Sequence, residues 1–495
     1  MDNTQNISYL NLAAQSPSLE LNLSLSEKIH RLNNSRKHVV FMCDSALKSC
    51  SVNILNKKSI CDLCRYKAEK GFKIFKDRNI NSELVKIKKK DLEKLEDTII
   101  SDEVKKEILF GVHSTIGSQL RLDDMTLLSP MWKKIEKKMM KSSLALYTFF
   151  NTYLQINKAE NFIIFNGRLS CARPLIQASK NNNTNYFLFD AAINGKVPMY
   201  SKNEMFHSIS FEKRNALKTY LKFYRDSKSL ANDYMNYKLK KIEVSDFSYT
   251  KNQKENYLES SILNKKKPII SFFTSSDDEY RFIGSDWAKY GIVDQVDSIN
   301  TMIKSDLKND YDFIIKMHPN QSNIHKSIKK RYKNLAQNVT VLPPESVSDT
   351  YELINKSKII VNFCSSVGIE SNYLRKPVIQ IGPSRFREFP AANYVNNAEE
   401  AINIISNKKF KLMPIRSSIL WFTYQMKSSF DLPAYKYHED GVFSYGDKFI
   451  NAPIQLRLLS VFDKVYYNAL KGNFSFIKNF KLYFNNLIFG TTKVN

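Results

Sequence analysis

Small polar side chains follow three apolar segments in the second half of the chain, at spacings that suit the binding of a phosphate. Hydroxyl groups and backbone amides at the start of a helix bind anions, and a carboxylate one turn later can accept both hydroxyls of a ribose. A glycine between them lets the backbone approach a ligand closely. The pattern predicts a nucleotide site formed by Thr274, Ser275, Ser276, His318, Pro319, Ser365, Ser366, Gly368 and Glu370.

Each of these residues also has a structural interpretation. Ser365 and Ser366 can serve as helix N-caps, and Glu370 can complete a capping box. His318 can be a packed histidine with no ligand. Their combination favours the nucleotide site, because ligands of open α/β sheets bind outside the carboxyl ends of the strands.

The segment "IIKMHPN" (314–320) places a histidine directly before a proline. Proline removes a backbone donor and restricts the preceding residue to an extended conformation. His318 is therefore predicted to be the last residue of a strand, with its imidazole projecting from the strand end.

A regular alternation of strands and helices is predicted to position these residues. Apolar segments bounded by polar turns predict strands, and the segments between them carry apolar residues at helical spacing. Five strands separated by helices are typical of a doubly wound domain. The predicted strands are "PIISFFT", "YDFIIKMH", "NVTVLP", "KIIVNF" and "KPVIQIG", and the predicted helices are 293–308, 324–336, 349–356 and 369–375.

The first half of the chain carries weaker signals of a similar architecture. Strands are predicted at "HVVFM" (38–42), "NFIIFNGR" and "NYFLFD" (185–190), and the helix "LSCARPLIQASK" between the last two indicates a βαβ unit. The basic segment "SELVKIKKKDLEKLEDTII" is predicted to be helical, within a helical insertion over about 43–160. A polar segment at about 240–266 predicts a linker, which divides the chain into domains 1–250 and 266–450 and a terminal segment 451–495.

The chain has 495 residues and a formal net charge of +26, which favours anionic partners. A composition rich in Lys, Asn, Ile, Phe and Tyr is an alternative origin of that charge. No run of 18 uncharged apolar residues occurs, and the first residues lack the pattern of a signal peptide, so a cytoplasmic protein is predicted. Aromatic residues beside lysines in "NFSFIKNFKLYFNNLIF" also suit a helix on an anionic membrane.

Cysteines cluster near the start of the chain with the spacing C-x6-C-x10-C-x2-C, formed by Cys43, Cys50, Cys61 and Cys64. In a reducing compartment such a cluster suggests zinc before disulfides. The first spacing is not that of a ligand pair, so free thiols and no bound metal are predicted. Cys171 and Cys364 are predicted to be isolated and packed.

The motifs of the second half resemble those of a known group of enzymes. Glu370 followed after five residues by "KPVI" resembles the donor motif of GT-B glycosyltransferases, although Arg375 replaces the usual glycine. The pairing of K-x-H-P (316–319) with S-S-x-G-x-E (365–370) resembles bacterial capsule and surface polysaccharide transferases, including sialyl-, polysialyl- and Kdo-type enzymes and teichoic-acid polymerases. The segments "FNGRLSCARPLIQASK" and "FFTSSDDE" are similar to segments of such proteins, and the resemblance spans roughly 160–450.

The resemblance implies an α/β fold of the GT-B class, with two Rossmann-like doubly wound domains facing across a cleft and the last helices (451–495) packed back on the first domain. It implies that the His-Pro corner contacts the donor nucleotide, often a cytidine one, that the serine pair holds the phosphate, and that no cofactor or metal is needed. Asn166 and Arg168 of the "NGR" segment would meet the acceptor or a phosphate, although Arg168 can equally pair with Asp190.

An inverting transfer needs a group that takes the acceptor proton, and Asp190 is the favoured candidate, with His318 also placed among the catalytic residues. Similar proteins carry a glutamate-glycine pair where this chain has "FLFDAA", and a helix cap is the alternative role of Asp190. The competing candidates are Asp277, Asp278, Glu279, His113 and His207.

These observations predict a glycosyltransferase that moves a sugar from a nucleotide-activated, cytidine-linked donor to a capsule, lipopolysaccharide or O-antigen glycan. The expected partners are the donor and a glycan or isoprenoid-linked acceptor, with peripheral contact to the inner membrane and no nucleic acid. Two alternatives remain open: a polyol-phosphate transferase with a CDP-linked donor, and a non-catalytic basic scaffold at the membrane surface.

Overall fold

The computed structural model describes two compact units. Unit 1, the N-domain, comprises the described parts of Met1–Gly117, Asp124–Phe206 and Ser429–Asn495, and unit 2, the C-domain, comprises those of Ser118–Asp123 and His207–Ser428. The described residues are 4–32, 36–93, 99–192, 196–242, 250–335, 339–428, 430–438 and 441–471.

The N-domain contains a six-stranded sheet with the order β3-β2-β1-β4-β5-β6. All neighbouring strands are parallel except β5 and β6, which are antiparallel. Continuous apolar segments such as "VVFM" form its central strands, because helices cover both faces of a parallel sheet. The strands are β1 (Gln5–Tyr9), β2 (His38–Cys43), β3 (Ser82–Ile87), β4 (Ala159–Phe165), β5 (Asn185–Ala192) and β6 (Val197–Lys202).

Seven α-helices, a short 3₁₀ helix (Met125–Leu127) and a hairpin complete the described part of the N-domain. The helices are α1 (Ser18–Leu32), α2 (Lys58–Lys76), α3 (Lys89–Glu93), α4 (Asp102–Leu120, whose last residues belong to the C-domain), α5 (Pro130–Ile156), α6 (Arg173–Asn181) and α19 (Ile454–Leu470). The antiparallel hairpin consists of β13 (Tyr435–His438) and β14 (Val442–Tyr445). None of the described helices is both long and apolar enough to cross a bilayer.

The C-domain contains a second six-stranded sheet, entirely parallel, with the order β12-β11-β10-β7-β8-β9. Its strands are β7 (Ile269–Phe273), β8 (Asp312–Lys316), β9 (Thr340–Leu342), β10 (Ile359–Asn362), β11 (Val378–Ile381) and β12 (Asn393–Val395). Its helices are α7 (Ile209–Lys222), α8 (Ser227–Leu239), α9 (Ser260–Leu263), α10 (Asp277–Tyr280), α11 (Ser285–Ala288), α12 (Gln295–Lys304), α13 (Leu307–Asp310), α14 (Lys326–Asn334), α15 (Thr350–Lys356), α16 (Val367–Tyr373), α17 (Ala398–Ser406) and α18 (Ile415–Lys427).

The α/β fold prediction is confirmed: the chain has two Rossmann-like parallel-sheet domains, the domain composition of the GT-B class. Each of the five strands predicted in the second half is present, within one or two residues of the predicted bounds. Their apolar segments are buried on both faces of the sheet, which is why the sequence signal is strong there.

Three elements of the N-domain differ from the predictions. The segment "SELVKI" is the edge strand β3 and not part of a helix, because Leu84, Val85 and Ile87 suit a pleated edge despite the lysines around them. Strand β1 and the antiparallel strand β6 were not predicted. Residues 43–160 are consequently not an uninterrupted helical insertion, since β3 lies within them.

The division into units also differs from the predicted domain bounds. The change of unit occurs between Phe206 and His207 and not in the polar segment near 250, because α7 and α8 pack against α18 within the C-domain. The described residues from 430 onward group with the N-domain, whereas the predicted second domain extends to 450. Helix α19 packs against α2 in the same unit. The aromatic segment predicted as a terminal helix (472–495) lies outside the described residues.

A buried carboxylate links the C-terminal hairpin to the first helix of the N-domain. Glu27 of α1 is 4% exposed and accepts hydrogen bonds from Arg78 Nε (2.7 Å), Arg31 Nε (2.8 Å) and the Tyr445 hydroxyl (2.7 Å). Burial alone would raise the pKa of Glu27, but the bonds from Arg78, Tyr445 and Arg31 hold it below its usual value. Glu27 is therefore a charged acceptor at neutral pH.

We expect Tyr445→Phe to lower the free energy of unfolding of the N-domain by about 1.5–3 kcal/mol at pH 7, because a bond to a buried charge is lost. A carboxyl whose folded pKa is depressed contributes stability that is present above its unfolded value and lost as pH falls through the folded value. The effect of the substitution should therefore shrink in acid. Urea titration at pH 7 and in acid measures it, with Tyr437→Phe in the same hairpin as the control. An equal loss of stability in both variants would contradict the role of Glu27.

Candidate functional site

A cavity of about 70 Å³ lies at the carboxyl edge of the C-domain sheet. Strand β7 pairs with β8 on one side and with β10 on the other, so the chain reverses its direction across the sheet at this point. Such switch points are where open α/β sheets bind ligands. The cavity is lined by the predicted residues Thr274, His318, Pro319, Ser365, Ser366 and Glu370, and by Lys238, Thr250, Gln253, Phe273, Lys316, Met317, Thr350, Tyr351 and Val367.

The His-Pro corner is fixed by two side chains from outside the motif. The His318 backbone N–H donates to Thr274 Oγ1 (3.0 Å) and to Gln321 Oε1 (2.9 Å). Gln321 Nε2 donates to the carbonyl oxygen of Ser275 (3.0 Å), which ties the corner to the loop after β7. The prediction that His318 ends a strand is wrong by two residues: β8 ends at Lys316, and His318 caps a short 3₁₀ helix that begins at Pro319.

The imidazole of His318 is neutral at physiological pH. Burial and, to a smaller extent, the positive charge of Arg121 lower the pKa of His318 to about 4. Its Nδ1 accepts a hydrogen bond from the Asn320 backbone N–H (3.1 Å), so the ring proton of the neutral form is on Nε2. A group with so low a pKa is a weak base at neutral pH, and its Nε2–H is a hydrogen-bond donor.

The serine pair and Glu370 surround the start of α16. Ser365 Oγ accepts from the Val367 N–H (3.3 Å), and Ser366 is exposed without a side-chain cap bond. Glu370 is 2% exposed, and its carboxylate accepts from the Tyr351 hydroxyl (3.1 Å). Because Glu370 is the fourth residue of the helix and not the third, the capping-box interpretation is wrong.

Gly368 does not line the cavity. A Cβ at this position would lie 2.7 Å from Asn362 Nδ2 and 3.0 Å from Phe386 Cζ. The glycine is therefore required by packing inside the protein, where the sequence suggested an approach to a ligand.

The polar residues after β7 bond mainly to one another. Ser275 exchanges hydrogen bonds with the side chain of Gln295, and Ser276 Oγ donates to Asp278 (2.8 Å), so neither serine lines the cavity. Asp278 also accepts from Arg121 (3.0 Å). These contacts hold Ser275 and Ser276 within the loop, whereas Thr274 lines the cavity.

The carboxyls that compete with Asp190 as a base are similarly engaged. Burial raises the pKa of both Asp277 and Asp278, and Asp277 accepts from the Tyr280 hydroxyl. Glu279 accepts from Arg121 (3.3 Å) and Asn320 (3.0 Å).

Two buried lysines line the cavity and were not predicted as site residues. Lys316 is 4% exposed, and its Nζ donates to the carbonyl oxygens of Ser346 (3.3 Å) and Ser348 (3.2 Å). Burial lowers the pKa of Lys316 to about 8. Lys238 of α8 is 7% exposed. A lysine at the end of an apolar strand was a visible signal for Lys316, whereas Lys238 is brought in by tertiary packing from a distant helix.

Asp190, Asn166 and Arg168 lie together in the N-domain. Asn166 has a positive φ of 54° in the turn after β4, donates from Nδ2 to the Asp190 carboxylate, and accepts from the Arg168 backbone N–H (3.1 Å). Asp190 also accepts from the Ala191 N–H (2.8 Å). Since Asp190 lies inside β5, where it pairs with Met199 of β6, the helix-cap interpretation is wrong.

The pKa of Asp190 is raised by burial, against the lowering effects of the hydrogen bonds from Ala191 and Asn166 and of the charge of Arg168. The remaining candidate bases have other contacts: His113 Nε2 lies 2.6 Å from Glu136 Oε1, and the carbonyl of His207 accepts from Trp287.

Five cysteines line one cavity of about 30 Å³ in the N-domain: Cys43, Cys50, Cys61, Cys64 and Cys171. The prediction that Cys171 is isolated is therefore wrong; folding brings it beside the N-terminal cluster. Among the described residues, no group of three or more His, Cys, Asp or Glu side chains has the arrangement of a metal site.

The protonation of the cysteines differs within the cluster. Burial raises the pKa of Cys43 to about 12 and that of Cys64 to about 11. The hydrogen bond with Cys50 lowers the pKa of Cys171 to about 7. Cys364 follows β10 with a positive φ of 57°, and burial raises its pKa.

No protein-family model matches the sequence, and no curated protein matches it significantly. Solved structures resemble it at low identity. The beta Kdo 2,4 transferase KpsC of Thermosulfurimonas dismutans is 14% identical over 54% of this chain and 79% of its own, with a TM-score of 0.34. MurG of Acinetobacter baumannii is 9% identical over 86% and 95% (TM-score 0.24), and HepE of Anabaena, solved with UDP, is 11% identical over 85% and 94% (TM-score 0.26). These values are too low to assign an activity to this chain.

We expect the purified protein to contain less than one equivalent of zinc. Zinc binds thiolates, and burial keeps Cys43 and Cys64 protonated at neutral pH. Elemental analysis of protein purified without chelator measures the metal content. One tightly held zinc per chain that is lost in Cys61→Ser would contradict this expectation.

Proposed function

We propose that the protein is a glycosyltransferase that moves a sugar from a nucleotide-activated donor, in particular a CMP-linked one, to a capsule, lipopolysaccharide or O-antigen glycan. The observation that carries the proposal is the cavity at the switch point of the C-domain sheet. Six residues that the sequence motifs predicted line it, and they come from the segments that follow three separate strands. The nucleotide preference and the polysaccharide class rest on the sequence resemblance.

The lining of the cavity suits a ribose and a phosphate. In this proposal Glu370, oriented by the Tyr351 hydroxyl, accepts hydrogen bonds from the ribose hydroxyls. The neutral Nε2–H of His318 donates to the phosphate or the base. Lys238 and Lys316 supply positive charge where Glu370 is the sole carboxylate among the described lining residues. Because α16 has only seven residues, the hydroxyls of Ser365 and Ser366, and not its dipole, are proposed to contact the phosphate.

The reaction in this proposal needs no metal ion. The nucleotide leaves with negative charge on its phosphate, and preorganised donors that point at this charge lower the barrier. Lys316 is already desolvated and held by two carbonyl oxygens, so stabilising the leaving group requires little reorganisation. His318 contributes a hydrogen bond without a change of its protonation state.

Asp190 is proposed as the general base that takes the proton of the acceptor hydroxyl. Asn166 and the Ala191 N–H orient its carboxylate, and the charge of Arg168 favours the ionised form that a base requires. Arg168 and Asn166 are proposed to contact the acceptor or its phosphate as well. The acceptor is proposed to be a glycan or an isoprenoid-linked glycan, met at the cytoplasmic face of the inner membrane, where the net charge of +26 favours peripheral contact.

We expect His318→Ala and Glu370→Ala each to weaken donor-nucleotide binding about ten- to hundredfold, because a desolvated polar contact of about 1.5–3 kcal/mol is lost. Calorimetric titration with CMP, CDP, UDP and GDP measures this, and cytidine nucleotides should bind best. His325→Ala is the matched control, since His325 also caps a helix of the C-domain but does not line the cavity.

That titration, together with assays of transfer from CMP-sugars and from a CDP-linked polyol, separates the alternatives. Wild-type affinity for every nucleotide in His318→Ala would make His318 a packing residue. Tight binding of CDP with no transfer from CMP-sugars, but transfer from a CDP-linked polyol, would favour the polyol-phosphate transferase. No binding of any nucleotide by the wild-type protein would contradict the enzyme and favour the scaffold.

We expect Asp190→Asn to reduce turnover at least about a hundredfold, the usual contribution of a general base. Because burial raises the pKa of Asp190, the acid limb of the profile of kcat/KM against pH should lie at a higher pH than the pKa of an ordinary aspartate. Arg168→Gln removes a charge that lowers this pKa, so it should move the acid limb to a still higher pH. Full activity in Asp190→Asn, or an unmoved limb in Arg168→Gln, would exclude Asp190 as the base.

A further inference from the structure

A large cavity of the N-domain is unrelated to any sequence motif. It has a volume of about 520 Å³, within the range of about 300–1,000 Å³ that is usual for small-molecule sites. It lies beyond the carboxyl ends of the neighbouring strands β2 and β3 and is closed on another side by α5. This is again the edge at which parallel sheets bind ligands. We call this cavity the groove. Its described lining residues are Ala46, Leu47, Lys48, Lys89, Leu92, Glu93, Ile99, Ile100, Lys105, Lys141, Ser142, Leu144, Ala145 and Thr148.

The floor of the groove is apolar. Leu47 and Leu92 are buried at its base, whereas Ile99 is 98% exposed beside it. A large apolar side chain in contact with water at the mouth of an apolar cavity gains a favourable contact when an apolar ligand is present.

The rim of the groove is basic. Among the lining residues that the structure describes, four are lysines and one, Glu93, is an acid. Lys89 is paired with Glu93 (3.3 Å) and Lys105 with Asp102 (3.2 Å), both at the surface, where such pairs are weak. Lys48 and Lys141 are exposed, and no described residue pairs with either. An anion at the rim would therefore meet two ammonium groups for which no described carboxylate competes.

We propose that this groove binds the phosphorylated end of a single-chain lipid, with the chain on the apolar floor and the phosphate between Lys48 and Lys141. An apolar floor alone would suit many ligands, and a basic rim alone would suit any polyanion. Their combination in one concave site of this volume selects a molecule that is apolar along its length and anionic at one end. Nucleic acid fits poorly, because its charge is distributed along the chain and would lie over Leu47, Ile99 and Ile100.

The inference shares with the proposed function the chemistry of an isoprenoid phosphate, but it concerns a separate site in the N-domain, and binding there requires neither a nucleotide nor turnover. Its test can therefore fail while the nucleotide site is functional, and the reverse is also possible.

Calorimetric titration of the full-length protein with farnesyl phosphate, below its micelle concentration, is the direct test. We expect farnesyl phosphate to bind at least about tenfold more tightly than farnesol, which lacks the phosphate, and inorganic phosphate, which lacks the chain, to give no measurable binding. Lys48→Glu/Lys141→Glu should weaken farnesyl phosphate at least about tenfold, because repulsion replaces attraction at the head group. Ile99→Asp, at an exposed position where folding is insensitive, should weaken both farnesyl phosphate and farnesol.

The matched control is Lys133→Glu/Lys228→Glu, which changes the net charge equally at exposed lysines outside the groove. It should alter the affinity less than about twofold. Equal affinity for farnesol, or equal effects of the two double variants, would overturn the proposal. Binding to phosphatidylglycerol vesicles that depends on Lys48 and Lys141, without binding of free farnesyl phosphate, would also overturn it and assign these lysines to a membrane surface.

Discussion

The pairing of β7 with both β8 and β10 is the constraint on which the candidate site depends. The register aligns Asn362, Phe273 and Lys316 across the three strands, so the loops that follow leave the sheet at the same level. Without this alignment the His-Pro corner, the serine pair and Thr274 would not lie close enough to line one cavity. The bonds of Gln321 to His318 and to Ser275 then hold two of these loops together. The site is thus defined by backbone pairing first and by side-chain hydrogen bonds second.

The sequence predicts the C-domain better than the N-domain, for physical reasons. The strands of the C-domain are short apolar segments between helices, and burial on both faces makes such a signal unambiguous. In the N-domain the edge strand β3 contains a lysine and is followed directly by more lysines. The segment "SELVKIKKK" is therefore compatible with a helix as well as with an exposed strand. Only the pairing with β2 decides between them, and pairing is not visible in a single sequence.

The same distinction applies to the site. Residues within the motifs, such as His318 and Glu370, are identifiable because polar side chains interrupt apolar segments at strand ends. Lys238 lines the same cavity from a helix that precedes β7 by thirty residues, and nothing in its local sequence distinguishes it from other lysines. Gly368 shows the converse: a motif position that suggested a ligand is explained by the close approach of Asn362. Sequence patterns locate the loops, and tertiary packing determines which side chains reach the cavity.

The N-domain is assembled from chain segments on either side of the C-domain. Strand β14 and helix α19 come more than two hundred residues after β6, and Tyr445 contributes to the bonds that hold the buried Glu27. During synthesis on the ribosome, residues 207–428 emerge as an almost continuous unit, whereas the N-domain lacks its last elements until the end of translation. Once residue 428 has been synthesised, nearly all segments of the C-domain are present. The N-domain is still incomplete at that stage, and Glu27 lacks the hydroxyl of Tyr445 as a donor.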